Sequence, residues 1–183
     1  MTSLLVLSGS RPAAVPTALV AEHIAVRLSL TGFDVEHLDL RRLPPDQLLG
    51  AEGPALEEAT ARVAAARGLI IASAVHASSY TGLLKAFLDV LPLGALAGKT
   101  VLPLATGAGP EDSLALDYAL RPVLAALGAR HVVAGCFLPD GAVGPAGAEG
   151  AALLEPGAEL RLFQAVDEFI QSLPVSPLAA WAE

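Results

Sequence analysis

The sequence predicts a parallel α/β sandwich of three layers, and three observations carry that prediction. Short apolar runs alternate with helical patterns five times along 183 residues, the signature of strands joined by crossover helices. The run Leu69-Ile-Ile-Ala72 is continuously apolar, as expected of a strand covered on both faces. A small polar loop, residues 73–81, then separates that strand from an amphipathic helix stopped by Pro92. In open parallel sheets ligands bind at the carboxyl ends of the strands, so this loop marks the edge where function is expected.

Bulk properties exclude several classes. The length suits a single domain, residues 1–173, with a C-terminal tail at 174–183. Mean hydropathy is high at +0.58, but much of it comes from alanine, and no apolar run approaches the ~20 residues of a membrane span. The first strand follows Met1 without a basic flank, so no signal peptide is expected. A single cysteine, Cys136, forbids an intrachain disulfide and fits a cytoplasmic setting. The net charge of −8, with only one adjacent basic pair, Arg41-Arg42, argues against nucleic acid as a partner.

Each element has its own justification. Leu4-Leu-Val-Leu7 is a buried strand that ends in Ser8-Gly-Ser-Arg-Pro12. Val20, Ile24 and Leu28 share one face of a helix that opens at Pro16 or Thr17 and stops at Gly32. Residues 33–38 alternate apolar and polar, which suits a strand nearer the sheet edge. Residues 43–53 read as connection, and 54–67 as an alanine-rich helix closed by Gly68. Thr100-Val-Leu-Pro-Leu104 is a fourth strand with a proline unusual for a central position. A helix from about Glu111 to Leu127 follows, then a fifth strand at 132–137. Residues 139–157 are so rich in Gly, Ala and Pro that a long loop is expected, and 160–173 form a last helix. The expected architecture is a five-stranded parallel sheet; if its order is 2-1-3-4-5, one crevice lies between the loops after strands one, three and four.

Three loops could carry chemistry. In the first, Gly9 permits a tight turn, Ser10 offers a hydroxyl, and Arg11 can fork onto a phosphate beside the free N–H groups of the next helix. A turn without a ligand is the plain alternative, since the loop is neither a Walker loop nor a dinucleotide fingerprint. In the loop after strand four, Glu111 and Asp112 complement the helix start themselves and would repel a phosphate. A neutral, planar, hydrogen-bonding guest suits it better. In the third-strand loop, His76, Ser78, Ser79 and Tyr80 could contact a polar aromatic ring, or Tyr80 could simply cover the helix start. His76 invites a general-base role, but no nucleophile or carboxylate stands nearby in sequence to orient it. His23, His37, His76 and His131 lack ligand spacing, so no metal site is expected. Mid-strand Cys136 reads as a core residue.

Pro122 adds a separate clue. It lies inside the fourth helical pattern and has no N–H for the carbonyl of Tyr118. That predicts a kink or π-bulge at Tyr118, or else two consecutive helices.

The stretches Ala77-Ser-Ser-Tyr-Thr-Gly-Leu-Leu-Lys-Ala-Phe-Leu-Asp-Val-Leu-Pro92, Gly98-Lys-Thr-Val-Leu-Pro-Leu-Ala-Thr-Gly107 and Leu116-Asp-Tyr-Ala-Leu-Arg-Pro-Val-Leu-Ala-Ala-Leu127 resemble NAD(P)H-dependent FMN reductases. The resemblance is strongest to the reductase component of two-component alkanesulfonate monooxygenase systems. It implies a flavodoxin-like fold, FMN and NADPH or NADH as cofactors, and delivery of reduced FMN to a flavin-dependent monooxygenase. It also implies a homo-oligomer, dimer or tetramer, with a π-helix around Tyr118 at the interface. By position, Ser10, Arg11 and Thr17 would hold the FMN phosphate. Val75, His76, Ala77, Ser78, Ser79 and Tyr80, together with Thr106, Gly107 and Ala108, would embrace the isoalloxazine. The implied reaction is hydride transfer from nicotinamide C4 to flavin N5 with no catalytic side chain, aided by backbone N–H groups near Thr106–Ala108. The chain departs from the family pattern in a shorter first loop with fewer hydroxyls and in Ala74, His76 and Ala77. Two other enzymatic or carrier readings compete: a flavoprotein that retains FMN and reduces quinones or azo compounds, and a flavodoxin-like electron carrier. A third is a binding module that has lost its flavin.

Overall fold

Ile70 and Ile71 project to opposite faces of one strand, and both are fully buried, so the sheet is covered on both sides. The computed structural model describes residues 3–10, 16–146 and 152–174. In chain order the elements are β1 (Ser3–Gly9), α1 (Pro16–Leu30), β2 (Asp34–Asp39), a 3₁₀ turn (Leu40–Arg42), α2 (Pro45–Leu48), α3 (Pro54–Ala65), β3 (Gly68–His76), β4 (Ser79–Tyr80) and α4 (Gly82–Val90). They continue with β5 (Thr100–Gly107), a 3₁₀ turn (Pro110–Ser113), a π-helix (Leu116–Leu120), α5 (Arg121–Ala126), β6 (His131–Val132) and β7 (Cys136–Pro139). The last are a 3₁₀ turn (Asp140–Ala142), β8 (Val143–Ala146), β9 (Ala152–Leu154) and α6 (Pro156–Gln171).

The main sheet runs β2-β1-β3-β5-β6, with β7 also parallel to β5 and β4 folded back against β3. The order 2-1-3-4-5 therefore stands, with β6 and β7 together making its fifth strand. On one face Leu5, Leu7, Leu69, Ile71 and Val101 pack with Val63 of α3, Leu84, Phe87 and Leu88 of α4, and Leu124 of α5. On the other, Leu4, Val6, Ile70, Leu102 and Leu104 pack with Val20, Ile24 and Leu28 of α1 and Leu162, Val166 and Phe169 of α6. Phe87 and Phe169 are both fully buried; truncating either to alanine would cost about 3–5 kcal/mol.

Three expectations change. The sheet is not five unbroken strands, and Pro103 explains the break. Val101 accepts a hydrogen bond from the Val133 N–H at 3.0 Å, so Pro103, two residues on, turns its missing donor toward the same neighbour. Pairing stops after Val132 and resumes at Cys136. Arg121 spans the gap, donating from Nη1 to the Val132 carbonyl at 3.0 Å and from Nη2 to that of Val133 at 3.1 Å. Within 139–157, the expected loop includes a short antiparallel ribbon, β8 with β9. Ala142 and Val143 are buried and Leu154 is half-buried, all in the α1–α6 core cluster, so apolar burial holds this segment despite its glycines. Finally, the helix read from Glu111 to Leu127 is three pieces: a 3₁₀ turn, a π-helix and α5. The π-helix includes Tyr118, where the proline argument placed it, and the Arg121 N–H reaches the Leu116 carbonyl.

Candidate functional site

The strand register sets the site. Ser8 lies beside Asp39, Gly9 beside Ser73, and Ala74 beside Thr106, so the carboxyl ends of β2, β1, β3 and β5 form one row. Gly9 is where β1 meets α4: a Cβ there would lie 2.7 Å from the Leu84 Cβ, closer than any side chain allows. That contact brings the first loop against the start of α4.

Side chains then tie the loops together. Thr81 caps α4, accepting from the Leu84 N–H at 3.3 Å, and its hydroxyl donates to the Gly9 carbonyl. Its own N–H donates to Ser73 Oγ at 3.0 Å. Thr17, in the first turn of α1, shares a 2.7 Å hydroxyl–hydroxyl bond with Thr106 at the end of β5. Ser8 Oγ and His37 Nε2 are 2.9 Å apart. Burial pushes the His37 imidazole below its ordinary value, against the pull of Asp39 and Glu22, so it is neutral at pH 7. Ser10 is 1% exposed, and its Oγ has no hydrogen-bond partner among the described residues.

The third-strand loop is a hairpin. His76 pairs with Ser79 and Val75 with Tyr80, leaving Ala77 and Ser78 as a two-residue turn at φ 49° and 60°. Both central residues at positive φ define the I′ geometry, which glycine or asparagine normally supplies. Holding alanine and serine there costs on the order of 1–2 kcal/mol per residue, and such strain gathers at ligand-binding sites. Val75 is buried, His76 is exposed, and Tyr80 packs half-buried against the core. Burial raises the Tyr80 phenol above its ordinary value, keeping it a neutral donor.

In the fourth-strand loop Asp112 folds back, accepting from the Ala108 N–H at 2.9 Å and the Gly109 N–H at 3.4 Å. The Ala108 amide, expected as a donor to a ring edge, is thus engaged by a carboxylate. A Cβ on Gly107 would fall 2.5 Å from Asp112 Oδ2, so this closure requires glycine.

Comparison with known proteins gives the chain its family. A family model described as NADPH-dependent FMN reductase matches residues 2–143. The FMN reductase (NADPH) of Escherichia coli is 42% identical over 151 residues, covering 80% of this chain and 78% of that protein. The chain belongs to this FMN reductase family. The Pseudomonas putida FMN reductase (NADPH) is 39% identical over 153 residues, with 80% and 78% covered. The crystal structure of an apo NADH:FMN oxidoreductase superposes with a TM-score of 0.84 at 40% identity, covering 97% of this chain and 93% of that one. A flavodoxin from Streptococcus pneumoniae, 15% identical with a TM-score of 0.62, shows the flavodoxin-like fold alone.

The chain is accordingly an oxidoreductase whose cofactors are FMN and NAD(P)H. Its residues fit FMN. The buried Ser10 hydroxyl on the first loop, unpartnered among the described residues, is a polar atom that a phosphate would satisfy. The structure brings Thr17 and Thr106 together and forms Val75–Tyr80 into one hairpin. Arg11 lies outside the described residues. The sequence reading did not single out Ser8, His37, Ser73 or Thr81, whose hydrogen bonds tie this edge together. Only Thr81 had a local signal, a threonine directly before an amphipathic helix.

Proposed function

We propose that the protein reduces FMN in the crevice at the carboxyl ends of β1, β3 and β5 and passes reduced FMN to a flavin-dependent monooxygenase. The observation that carries the site is the buried Ser10 hydroxyl, without a partner among the described residues, at the start of the first loop. Bound FMN supplies an N5 acceptor for the nicotinamide C4 hydride. The chain's own share is positioning. Ser10, Arg11 and the first turn of α1 around Thr17 hold the phosphate, with the helix start favouring negative charge. The strained turn at Ala77 and Ser78, with Val75, His76, Ser79 and Tyr80, fixes one edge of the ring. Thr106, Gly107 and Ala108 wall the other; Asp112 locks that loop, and its charge keeps a second anion away from the ring. No side chain moves a proton.

Transfer to a monooxygenase is supported by the names of relatives. These describe FMN itself as what is reduced, including an NADH-dependent FMN reductase SfnF of Pseudomonas fluorescens, 36% identical over 115 residues and covering 62% of this chain and 61% of that protein. Free reduced flavin reacts with oxygen unless an enzyme consumes it, so a flavin-dependent oxygenase is the fitting recipient. Assembly through the Tyr118 face, where Tyr118 is 80% exposed, belongs to the same reading. The test is oxidation of NADPH and of NADH by purified protein with and without added FMN, after recording its visible spectrum. Turnover only with added FMN supports the proposal. A yellow protein that reduces quinones without added FMN makes the flavin a prosthetic group, and no oxidation of either nucleotide refutes the activity.

A further inference from the structure

Two successive backbone N–H groups after β5, those of Ala108 and Gly109, point at one oxygen, Oδ2 of Asp112, at 2.9 and 3.4 Å. Paired amides of this kind make a seat for an anion, and here the chain fills the seat with its own carboxylate. The surroundings hold it there. The Asp112 N–H donates back to the Gly109 carbonyl at 3.1 Å, and the Ser113 hydroxyl donates to that of Pro110 at 2.6 Å, closing the 3₁₀ turn. Gly107 leaves the space that the carboxylate needs, and Glu111 in turn leaves no room for a Cβ on Gly109. Asp112 is half-buried and forms no ion pair among the described residues. Amide dipoles, and no cation among those residues, therefore face its charge.

This loop adjoins the other two at one sheet edge, because Thr106 lies beside Ala74 and bonds Thr17. What Asp112 does there follows from the charge balance of the reaction. Hydride transfer converts NAD(P)H to NAD(P)⁺ and leaves the flavin ring with one more negative charge; the hydride carries both electrons, and no proton is needed for balance. Free amides beside the ring would stabilise that charge and favour keeping the product. In this chain the amides are already engaged, and the carboxylate that engages them repels a second negative charge. The oxidised ring is neutral and feels the carboxylate far less. Asp112 thus interacts differently with the two redox states, which is the requirement for shifting the balance between them.

We propose that Asp112 weakens this chain's hold on reduced FMN relative to oxidised FMN, so that the product leaves after hydride transfer. The proposal rests on the reading of the crevice as the FMN site, with Thr106, Gly107 and Ala108 along the ring. Asp112 acts on retention of the product and takes no part in the hydride transfer itself.

The test is titration of the full chain with oxidised FMN and, anaerobically, with FMN reduced by dithionite. The proteins are wild type, Asp112→Asn, Asp112→Ala, Glu111→Gln and Asp34→Asn. Asparagine keeps an acceptor for the loop amides and removes the charge, whereas alanine also frees the amides. Asp34 is exposed at the start of β2, the opposite end of the sheet, and its replacement changes net charge equally. Asp112→Asn is expected to lower the ratio of reduced to oxidised Kd by about tenfold, the order of a unit charge acting across partly solvated protein. Asp112→Ala should lower it further. Glu111→Gln should lower it less, because the loop amides bond Asp112, and Asp34→Asn should leave it unchanged. A tenfold fall raises the midpoint potential of bound FMN by about 30 mV for a two-electron couple, which dye equilibration reads independently. An unchanged ratio in Asp112→Asn overturns the proposal, as does an equal fall in Glu111→Gln or Asp34→Asn. Equal weakening of both redox states by the Asp112 variants overturns it as well, since a loop latch without electrostatic effect would do that. If asparagine fails to fold, the ratio in Asp112→Ala decides by the same criteria. If wild type binds both forms and the ratio ignores Asp112, this proposal alone falls. If it binds neither, the crevice reading falls and the proposal falls with it.

Discussion

Replacing Thr81 by valine is expected to loosen the flavin edge of the sheet and the start of α4 together. Valine keeps the shape and the backbone donation to Ser73 but removes the hydroxyl that caps Leu84 N–H and donates to the Gly9 carbonyl. Loss of a threonine N-cap costs about 1 kcal/mol, and a buried carbonyl left without its donor costs about 1–3 kcal/mol. The sum is about 2–4 kcal/mol. At about 2–4 °C per kcal/mol for a chain of this size, the melting temperature should fall on the order of 10 °C. The assay is urea and thermal unfolding of the protein without added flavin, beside an FMN titration. Thr81→Ser should recover most of the stability, and Thr81→Val should also bind FMN at least threefold more weakly. A Thr81→Val protein within about 0.5 kcal/mol of wild type would refute the energetic argument. Lost stability with unchanged FMN affinity would refute the claim that Thr81 positions the first loop.

Other perturbations separate the remaining claims. His23 is buried with its Nε2 unpartnered among the described residues, and burial, then Arg27, hold its imidazole below the ordinary value. His37 is lowered by burial as well. The unfolded chain therefore binds protons that the folded one resists: stability is full above about pH 6.5 and falls as the pH drops below it. His23→Leu should raise the urea midpoint at pH 7 and flatten its decline between pH 7 and 5; an unchanged slope counts against the burial argument. Ser78→Gly should stabilise the hairpin by about 1 kcal/mol through relief of left-handed strain while weakening FMN binding, both read by unfolding and titration. Tyr118→Asp should reduce the assembled mass in sedimentation without altering the far-UV spectrum; an unchanged mass removes this face from the interface.

What the residues disclosed depended on how local the cause was. Periodicity placed the strands, because each strand's burial is written in its own side chains, whereas the order 2-1-3-4-5 came with the flavodoxin-like resemblance. Pro122 foretold the π-helix through one missing donor. Pro103 carried an equally definite message, but its effect falls on a neighbour about thirty residues away, so the split of the fifth strand emerged only with the register. The β8–β9 ribbon was hidden because glycine and alanine look like loop until Ala142 and Val143 are seen against α1. In the site, Ser10 and the Val75–Tyr80 hairpin were visible as loop chemistry. The pairs Ser8–His37, Thr17–Thr106 and Thr81–Gly9 were not, since each joins residues 29 to 89 positions apart. Whether the Ala108 amide was free depended on where Asp112 pointed, which no spacing rule decides.

Those three pairs share an end. Ser8, Gly9 and Thr17 flank the same short loop, and their partners lie in β2, directly before α4 and at the end of β5. The two ends of that loop are thus stayed like a guy-roped mast, with tension shared among distant anchors. Slackening one rope shifts load to the others, so double substitutions among His37, Thr81 and Thr106 should deviate from the sum of the single ones. Occupancy of the loop should likewise slow amide exchange in the ends of β2 and β5, even at residues that never touch a cofactor.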